Sequence, residues 1–329
     1  MVSIKDVAVE AGVSVGTVSK VLHNMYVRPD NRKKVEEAIS RLNYHVNTYA
    51  QGLRASQTFT VAIIVPDLIN PFFALLVNYV EQVLAAVGYR LLVCNSHCHA
   101  DREYSYIKMV MQNKVDGLIA VTYSNTDMYR KAGIPIVSID RIFDDNSCCV
   151  SSDNAMGGRL AAEKFIKTGC HRVVYIRNGS KLEGETLKRG ASFIKSCSEA
   201  GIEASTKDFG EETTLDNRKI NKINSFLEQS IRDGKFIYDG IFTSSDVHGI
   251  VVKRKLQELG IEVPKDVQII GYDGIKILNF GDYAVSSIAQ PVDEMAVTCV
   301  DNLIKQIEKR PYTPKIVLPV KFVEGGTTR

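Results

Sequence analysis

The chain has 329 residues, 45% of them hydrophobic, enough for a large packed core and more than one domain. No apolar run reaches the length needed to cross a bilayer, and no signal-peptide core precedes the amphipathic start at Met1. The net charge is +3, and the seven cysteines are odd in number and irregularly spaced, which points to reduced thiols in a cytoplasm.

The charge is unevenly divided. Residues 1–58 hold eight of the 41 basic and five of the 38 acidic side chains, leaving 33 of each in residues 59–329. A basic excess confined to a small N-terminal unit suits contact with phosphate.

Ser3 caps a predicted helix through Ile4, Val7, Ala8 and Ala11, with Asp6 three residues on in place of the usual capping-box Glu. Gly12-Val13-Ser14 supplies a left-handed exit, a buried plug and the next N-cap. A second helix, Val15 to Leu22, buries Val18, Val21 and Leu22 and turns Val15, Gly16, Thr17, Ser19 and Lys20 outward. Two short helices joined by a glycine turn make a helix-turn-helix, the second sized for the major groove. A third helix starts near Pro29, buries Val35, Ala38, Ile39 and Leu42, and ends at Leu42-Asn43-Tyr44. Asn47 to Ala55 has too little apolar surface to fold alone and reads as a linker ending at Ser56-Gln57-Thr58.

From Thr60 apolar strands alternate with amphipathic helices. Strands are expected at 61–65, 90–94, 117–121, 136–139, 173–176, 240–243 and 267–270, and helices near 72–87, 101–113, 154–168, 187–200, 215–232, 246–259 and 292–308. This alternation predicts an α/β domain of parallel, doubly wound sheets with helices on both faces. There is no Gly-rich nucleotide fingerprint, no P-loop and no nucleophile elbow, so an enzyme is not expected. Cys94, His97, Cys98 and His99 are ligand-type side chains at short spacing, but a structural zinc needs four convergent ligands. The reading taken is a polar loop after a buried strand end, with no metal and no cofactor.

The ordered string Asp6-Val-Ala, Ala11-Gly-Val-Ser14, Thr17-Val-Ser-Lys-Val-Leu22 and Leu42-Asn-Tyr44 resembles the DNA-binding head of the lac-repressor (LacI/GalR) family. The likeness covers nearly the whole chain. It implies a sequence-specific transcription repressor in which Val15, Gly16 and Lys20 read bases and Thr17, Ser19, Tyr44 and Asn47 meet phosphates. It further implies that 47–58 is a hinge helix and linker, with Leu53 a minor-groove wedge and Arg54 following it. Gly16 departs from the longer side chain often found there, Arg28 from a Ser or Thr cap, and Val46 from Pro. The head is accordingly 1–46 and the effector-binding and dimerisation domain 59–329. Its N-lobe covers about 59–153 and 291–310, and its C-lobe about 154–290 and 311–329.

The same resemblance extends to periplasmic ribose-binding proteins and implies an interlobe sugar site. Asn70, Phe72 and Phe73 follow the first strand, Asp140 and Arg141 the fourth, and Arg189 matches an Arg-x-x-Gly-Phe motif in which Ser192 replaces Gly. Phe209 matches an aromatic closing the far lobe, Asp273 a carboxylate taking two hydroxyls, and Gln290 an amide at the crossover. Ser245 stands where Asn is usual. Paired carboxylates, guanidiniums and ring faces are what a monosaccharide's hydroxyls and CH surface need. The expected partners are operator DNA, a small sugar effector and a second copy of the chain, with no membrane. No heptad tail follows Glu324 to join dimers into tetramers. The alternative is a regulator liganded by a purine or other metabolite.

Overall fold

A computed structural model describes residues 2–22, 25–44, 57–112, 115–144, 147–178, 184–210, 215–277 and 281–329. The chain divides into two compact units, Met1–Thr58 and Phe59–Arg329.

The first unit packs three helices, α1 (Ile4–Ala11), α2 (Val15–Leu22) and α3 (Pro29–Arg41). The capping box forms as the sequence predicts: the Asp6 amide donates to Ser3 Oγ at 3.4 Å, and the Ser3 amide to Asp6 Oδ2 at 2.8 Å. Gly12 closes α1 at φ 62°, where a side chain would be strained, and the Thr17 amide donates to Ser14 Oγ at 3.2 Å to open α2. Arg28 makes no side-chain cap; Pro29, preset in φ and lacking an N–H, starts α3 instead. Val7, Ala8, Ala11, Val18, Val21, Val35 and Ala38 form the core, with the three central valines fully buried. Each buried valine contributes about 1.5–3 kcal/mol, so a unit this small depends on all of them.

The second unit contains two six-stranded sheets. The N-lobe sheet runs β13-β5-β4-β3-β1-β2, all parallel, from β1 (Thr60–Val65), β2 (Arg90–Asn95), β3 (Gly117–Val121), β4 (Ile136–Ile139), β5 (Cys148–Ser152) and β13 (Lys315–Leu318). The C-lobe sheet runs β14-β12-β11-β10-β6-β7, from β6 (Arg172–Arg177), β7 (Glu203–Asp208), β10 (Gly240–Thr243), β11 (Gln268–Asp273), β12 (Ser287–Ala289) and β14 (Lys321–Val323). Only β14 is antiparallel to its neighbour, and a hairpin of β8 (Ile231–Arg232) and β9 (Lys235–Phe236) stands apart.

Both faces of each sheet are covered, as the near-continuous apolar strands require. In β1, Val61, Ile63 and Val65 meet α4 (Pro71–Ala86) and α11 (Val292–Ile307). The alternate residues Ala62 and Ile64 meet α5 (Ala100–Gln112) and the short α6 (Asp127–Arg130) on the other side. In the C-lobe, Val173 and Tyr175 of β6 face α7 (Asn154–Lys167) and α8 (Leu187–Glu199). Val174 and Ile176 face α9 (Asn217–Gln229) and α10 (Asp246–Glu258).

One expected lobe boundary is corrected. Residues 311–318 do not belong to the C-lobe, because β13 pairs in parallel with β5 at the edge of the N-lobe sheet. The run Lys315 to Val323 looks like one strand, but Pro319 lacks an amide donor and splits it in two. The chain therefore crosses between lobes after Ser152, after Ala289 and after Leu318.

Candidate functional site

The cleft between the lobes is walled by the carboxyl ends of strands and the helix starts that follow them, where open α/β sheets bind ligands. Asp67 Oδ1 accepts the amides of Ile69 (2.9 Å) and Asn70 (2.7 Å), shaping the loop after β1. Asn70 Oδ1 caps α4 by accepting the Phe72 amide at 3.1 Å, and the residue lines the cleft. Phe72 and Phe73 meet edge to face, centroids 5.5 Å apart, and both line the cleft.

Asp140 follows β4 at φ 59°, and its Oδ1 accepts from Asn154 Nδ2 of the other lobe at 3.3 Å. Arg141 Nη1 donates to the carbonyls of Ser124 and, at 3.4 Å, Thr122. That loop is braced from below by the buried carboxylate of Glu103, which accepts from Thr122 Oγ1 at 2.5 Å and Tyr129 OH at 2.8 Å.

The C-lobe supplies Arg189 from the first turn of α8. Its Nε and Nη2 donate to Asn154 Oδ1 at 3.1 and 2.7 Å, Nη1 to the Ser244 carbonyl at 2.5 Å, and its plane lies 3.1 Å from the Tyr272 ring centroid. Asp273 ends β11 at φ 121° and accepts from Gln290 Nε2 at 2.8 Å; Gln290 Oε1 accepts from Ser152 Oγ at 2.7 Å. Behind it Asp246, fully buried, accepts the Ile275 amide at 2.6 Å and Ser287 Oγ at 2.5 Å, holding the loop that presents Asp273. Ser245 caps α10 and sets its Oγ 2.6 Å from His248 Nδ1.

Desolvation raises the carboxyls of Asp140 and Asp273. Asp140 is pushed up to about 6 by burial against the pull of Arg189 and the Asn154 hydrogen bond. Burial likewise pushes Asp273 up to about 7, again opposed by Arg189 and Gln290. Such displaced carboxyls in a cleft are the electrostatic mark of a functional site.

Asn70, Phe72, Phe73, Asp140, Arg141, Arg189, Ser245, Asp273 and Gln290 thus share one cavity. Phe209 does not join them. It continues the edge strand β7 and packs its ring on Phe226 of α9, 5.9 Å away, in the apolar layer under the sheet; Leu215 lines the cleft. Sequence reasoning passed over Asn154, Ser152, Asn178 and His248. Cys94 is buried at the end of β2, and Cys98 reaches the cleft wall from a loop with φ 59°. Among the described residues no group of three or more His, Cys, Asp or Glu is placed to hold an ion, and no helix is long and apolar enough to cross a membrane.

In the head, Gly16 and Lys20 are exposed on α2, while Val15, Thr17 and Ser19 are half-buried. Val15 and Tyr44 pack partly against the head core, and Thr17 Oγ1 bonds Ser14 Oγ at 2.9 Å. A Cβ at Gly16 would meet only Ser14 Oγ, at 3.7 Å, so the fold itself does not require glycine there. Asn47, Leu53 and Arg54 lie outside the described residues.

A helix-turn-helix unit joined to a two-lobed cleft domain defines a ligand-responsive DNA-binding regulator. Residues 3–47 match the model of bacterial regulatory proteins, lacI family, and residues 162–328 that of a periplasmic binding protein-like domain. The sucrose operon repressor of Pediococcus pentosaceus is 32% identical over 328 residues, 98% of each chain. The ribose operon repressor of Halalkalibacterium halodurans is 32% identical over 335 residues, covering 100% of this chain and 98% of its own. A periplasmic binding protein/LacI transcriptional regulator from Alkaliphilus metalliredigens, complexed with D-xylulofuranose, superposes at TM-score 0.69 with 27% identity, over 82% of this chain and 99% of that one. The chain belongs to the lacI family of bacterial regulatory proteins.

Proposed function

We propose that this protein is a transcription repressor, dimeric on a near-palindromic operator, whose DNA affinity is set by a neutral monosaccharide in the interlobe cleft. The observation that carries the reading is the composition of the cleft wall. Three carboxyl groups (Asp67, Asp140, Asp273), three guanidiniums (Arg141, Arg177, Arg189), three amides (Asn70, Asn178, Gln290) and two phenyl rings (Phe72, Phe73) converge on one space. Acidic and basic side chains are equal in number, so a phosphorylated sugar would bring a dianion without a cluster of surplus positive partners. A flat purine would leave several of these groups desolvated and unpaired. Relatives named for sucrose and ribose operons and a similar structure holding D-xylulofuranose support the same class of ligand; a pentose such as ribose is the first to test. A thermal-shift screen of neutral sugars and purines, followed by operator-binding titrations with each hit, tests the proposal. One sugar should raise the Tm and change operator affinity. A purine that does both while no sugar does would overturn it.

Two expectations follow for the separate units. Lys20→Ala should lower affinity by about 1–3 kcal/mol and relax preference at one base pair per half-site, measured by competition among single-base operator variants. Equal loss on unrelated DNA would make Lys20 a phosphate contact instead. In the cleft, hydroxyls that donate to Asp140 and Asp273 favour their ionised forms, so binding expels protons. Sugar affinity should fall as pH drops through about 7 and then about 6. By the same linkage the unliganded domain, which holds these protons more tightly than the unfolded chain, loses stability as pH rises from the ordinary carboxylate range towards about 7. Calorimetry across that range in buffers of different ionisation enthalpy checks both the trend and the released protons.

A further inference from the structure

Ser245, His248 and Asn178 form a chain along the C-lobe wall, and all three line the cleft. Asn178 follows β6 and His248 lies in the first turn of α10, which follows β10; β6 and β10 are neighbouring parallel strands, so their carboxyl ends stand side by side. His248 Nδ1 lies 2.6 Å from Ser245 Oγ, and its Nε2 lies 2.9 Å from Asn178 Nδ2. Exposure is 8% for His248 and 6% for Asn178.

The ring is neutral. Burial, helped by Lys219, pushes its pKa down to about 4. A neutral imidazole carries one N–H, and with the Asn178 amide nitrogen facing Nε2, that proton sits on Nδ1 and is donated to Ser245 Oγ. The order Ser, His, Asn is that of a hydrolytic triad. Here, however, Ser245 Oγ also accepts the His248 amide as a helix cap at 3.4 Å, and a base titrating near 4 is poorly matched to neutral pH. The chain of bonds is better suited to orienting the last member. Asn178 Oδ1 is buried and has no hydrogen-bond partner among the described residues. A buried acceptor left in that state is unfavourable unless a ligand donor meets it. Ser245 stands where the family pattern carries Asn, and Asn178 returns an amide to the same wall from the adjacent strand.

We propose that Asn178 is a selectivity residue of the cleft: its Oδ1 accepts a hydrogen bond from one hydroxyl of the bound sugar, and His248 with Ser245 locks the amide in the orientation that makes it an acceptor. The inference rests on the reading of the cleft as a sugar site. A site built to pair a hydroxyl discriminates strongly against the analogue that lacks it, because its own polar atom is then stranded.

The test uses the full chain. Calorimetry with D-ribose, D-xylulose, D-fructose and sucrose identifies the tightest binder, and the monodeoxy analogues of that sugar are then titrated into the parent, Asn178→Ala, His248→Leu and His248→Gln. One analogue should bind the parent about 10–100-fold more weakly than the intact sugar. Asn178→Ala should bind the intact sugar weakly by a similar factor and no longer distinguish it from that analogue. His248→Leu should lose the same discrimination, and His248→Gln, whose amide can still pair with Asn178, should recover part of it. Parent-like affinity in Asn178→Ala, or a uniform loss over every analogue, overturns the assignment while leaving the sugar site intact. Failure of all four sugars to bind the parent overturns the sugar reading and this inference with it.

Discussion

Asp273→Gly should weaken effector binding by about one to several powers of ten and at the same time raise the melting temperature of the unliganded protein. The first half follows from the hydrogen bonds lost. Asp273 is the carboxylate that Gln290 Nε2 holds and that Arg189 attracts across the C-lobe wall. Without the carboxylate, the sugar hydroxyls that donate to it are desolvated and unpaired in the closed cleft, at about 1–3 kcal/mol each, or about one to two powers of ten in affinity for each hydroxyl. The second half follows from the surroundings of the aspartate itself. The carboxyl is desolvated enough to be pushed up to about 7, and its backbone sits at φ 121°, a region that suits glycine and strains other residues. Glycine relieves both burdens. Asp273→Ala should lose binding equally yet gain less stability, since alanine keeps the backbone strain. Calorimetry and thermal unfolding of both variants decide the matter; parent-like affinity in either would remove Asp273 from the site.

Ligand occupancy can reach the lobe geometry through bonds that already cross the cleft. Asp140, on the N-lobe, accepts from Asn154 through its carboxylate and from the Glu185 amide through its carbonyl at 3.0 Å. Glu185 in turn accepts from Lys315 of β13 at 3.2 Å, so the C-lobe loop before α8 is tied to both the backbone of Asp140 and the far edge of the N-lobe sheet. A sugar hydroxyl that draws on Asp140 competes with, or completes, this set of bonds. Differential contacts of that kind are what a ligand needs to shift a two-state equilibrium.

Seven strands were legible as apolar runs, the edge strand β2 among them, whereas the buried interior strands β5 (Cys-Cys-Val-Ser-Ser) and β12 (Ser-Ile-Ala) were passed over because small and hydroxyl-bearing residues break their apolar pattern. Two outer strands were missed as well. Glu203-Ala-Ser-Thr-Lys-Asp208 carries no apolar alternation, and it is a strand only because β6 offers its free edge. Lys315–Leu318 could not be assigned to its sheet from pattern, since the same sequence suits either lobe and only pairing with β5 decides. The site divides the same way. Residues at or directly after the ends of strands 1, 4, 10 and 11 were found through the family pattern, whereas Asn154 and Ser152 have adequate local explanations, near a helix start and at a strand end. Their place between Asp140, Arg189 and Gln290 is a tertiary fact. Phe209 shows the converse, an aromatic in a plausible position whose ring the fold spends on Phe226.

Substituting alanine for glycine should have opposite signs at two helical positions, and the difference measures how Arg189 is held. On α7, a Cβ at Gly158 would lie 2.1 Å from the carbonyl oxygen of Arg189 and 2.8 Å from the amide nitrogen of Phe193. Both obstacles are backbone of α8, so no side-chain rotation relieves them; the helices must part. Gly157 and Gly190 nearby are also close, but against side-chain rings, Tyr272 at 2.7 Å and Tyr175 at 2.5 Å. Ser192, which replaces the motif's glycine, donates to the Ala155 carbonyl of α7 at 2.8 Å across the same helix pair. Alanine would gain about 1 kcal/mol of helix propensity, but forcing apart a packed helix pair costs about 1–3 kcal/mol or more, and the clash wins. Because the backbone displaced is that of Arg189 itself, Gly158→Ala should lower both the melting temperature of the effector domain and its sugar affinity. Gly16 on α2 is the counterexample: exposed, with its nearest neighbour at 3.7 Å, it should gain about 0.5–1 kcal/mol of head stability as alanine. Thermal unfolding of the two variants, with calorimetry on the first, reads both signs. Parent-like melting and parent-like sugar affinity in Gly158→Ala would mean that α7 and α8 do not set the position of Arg189.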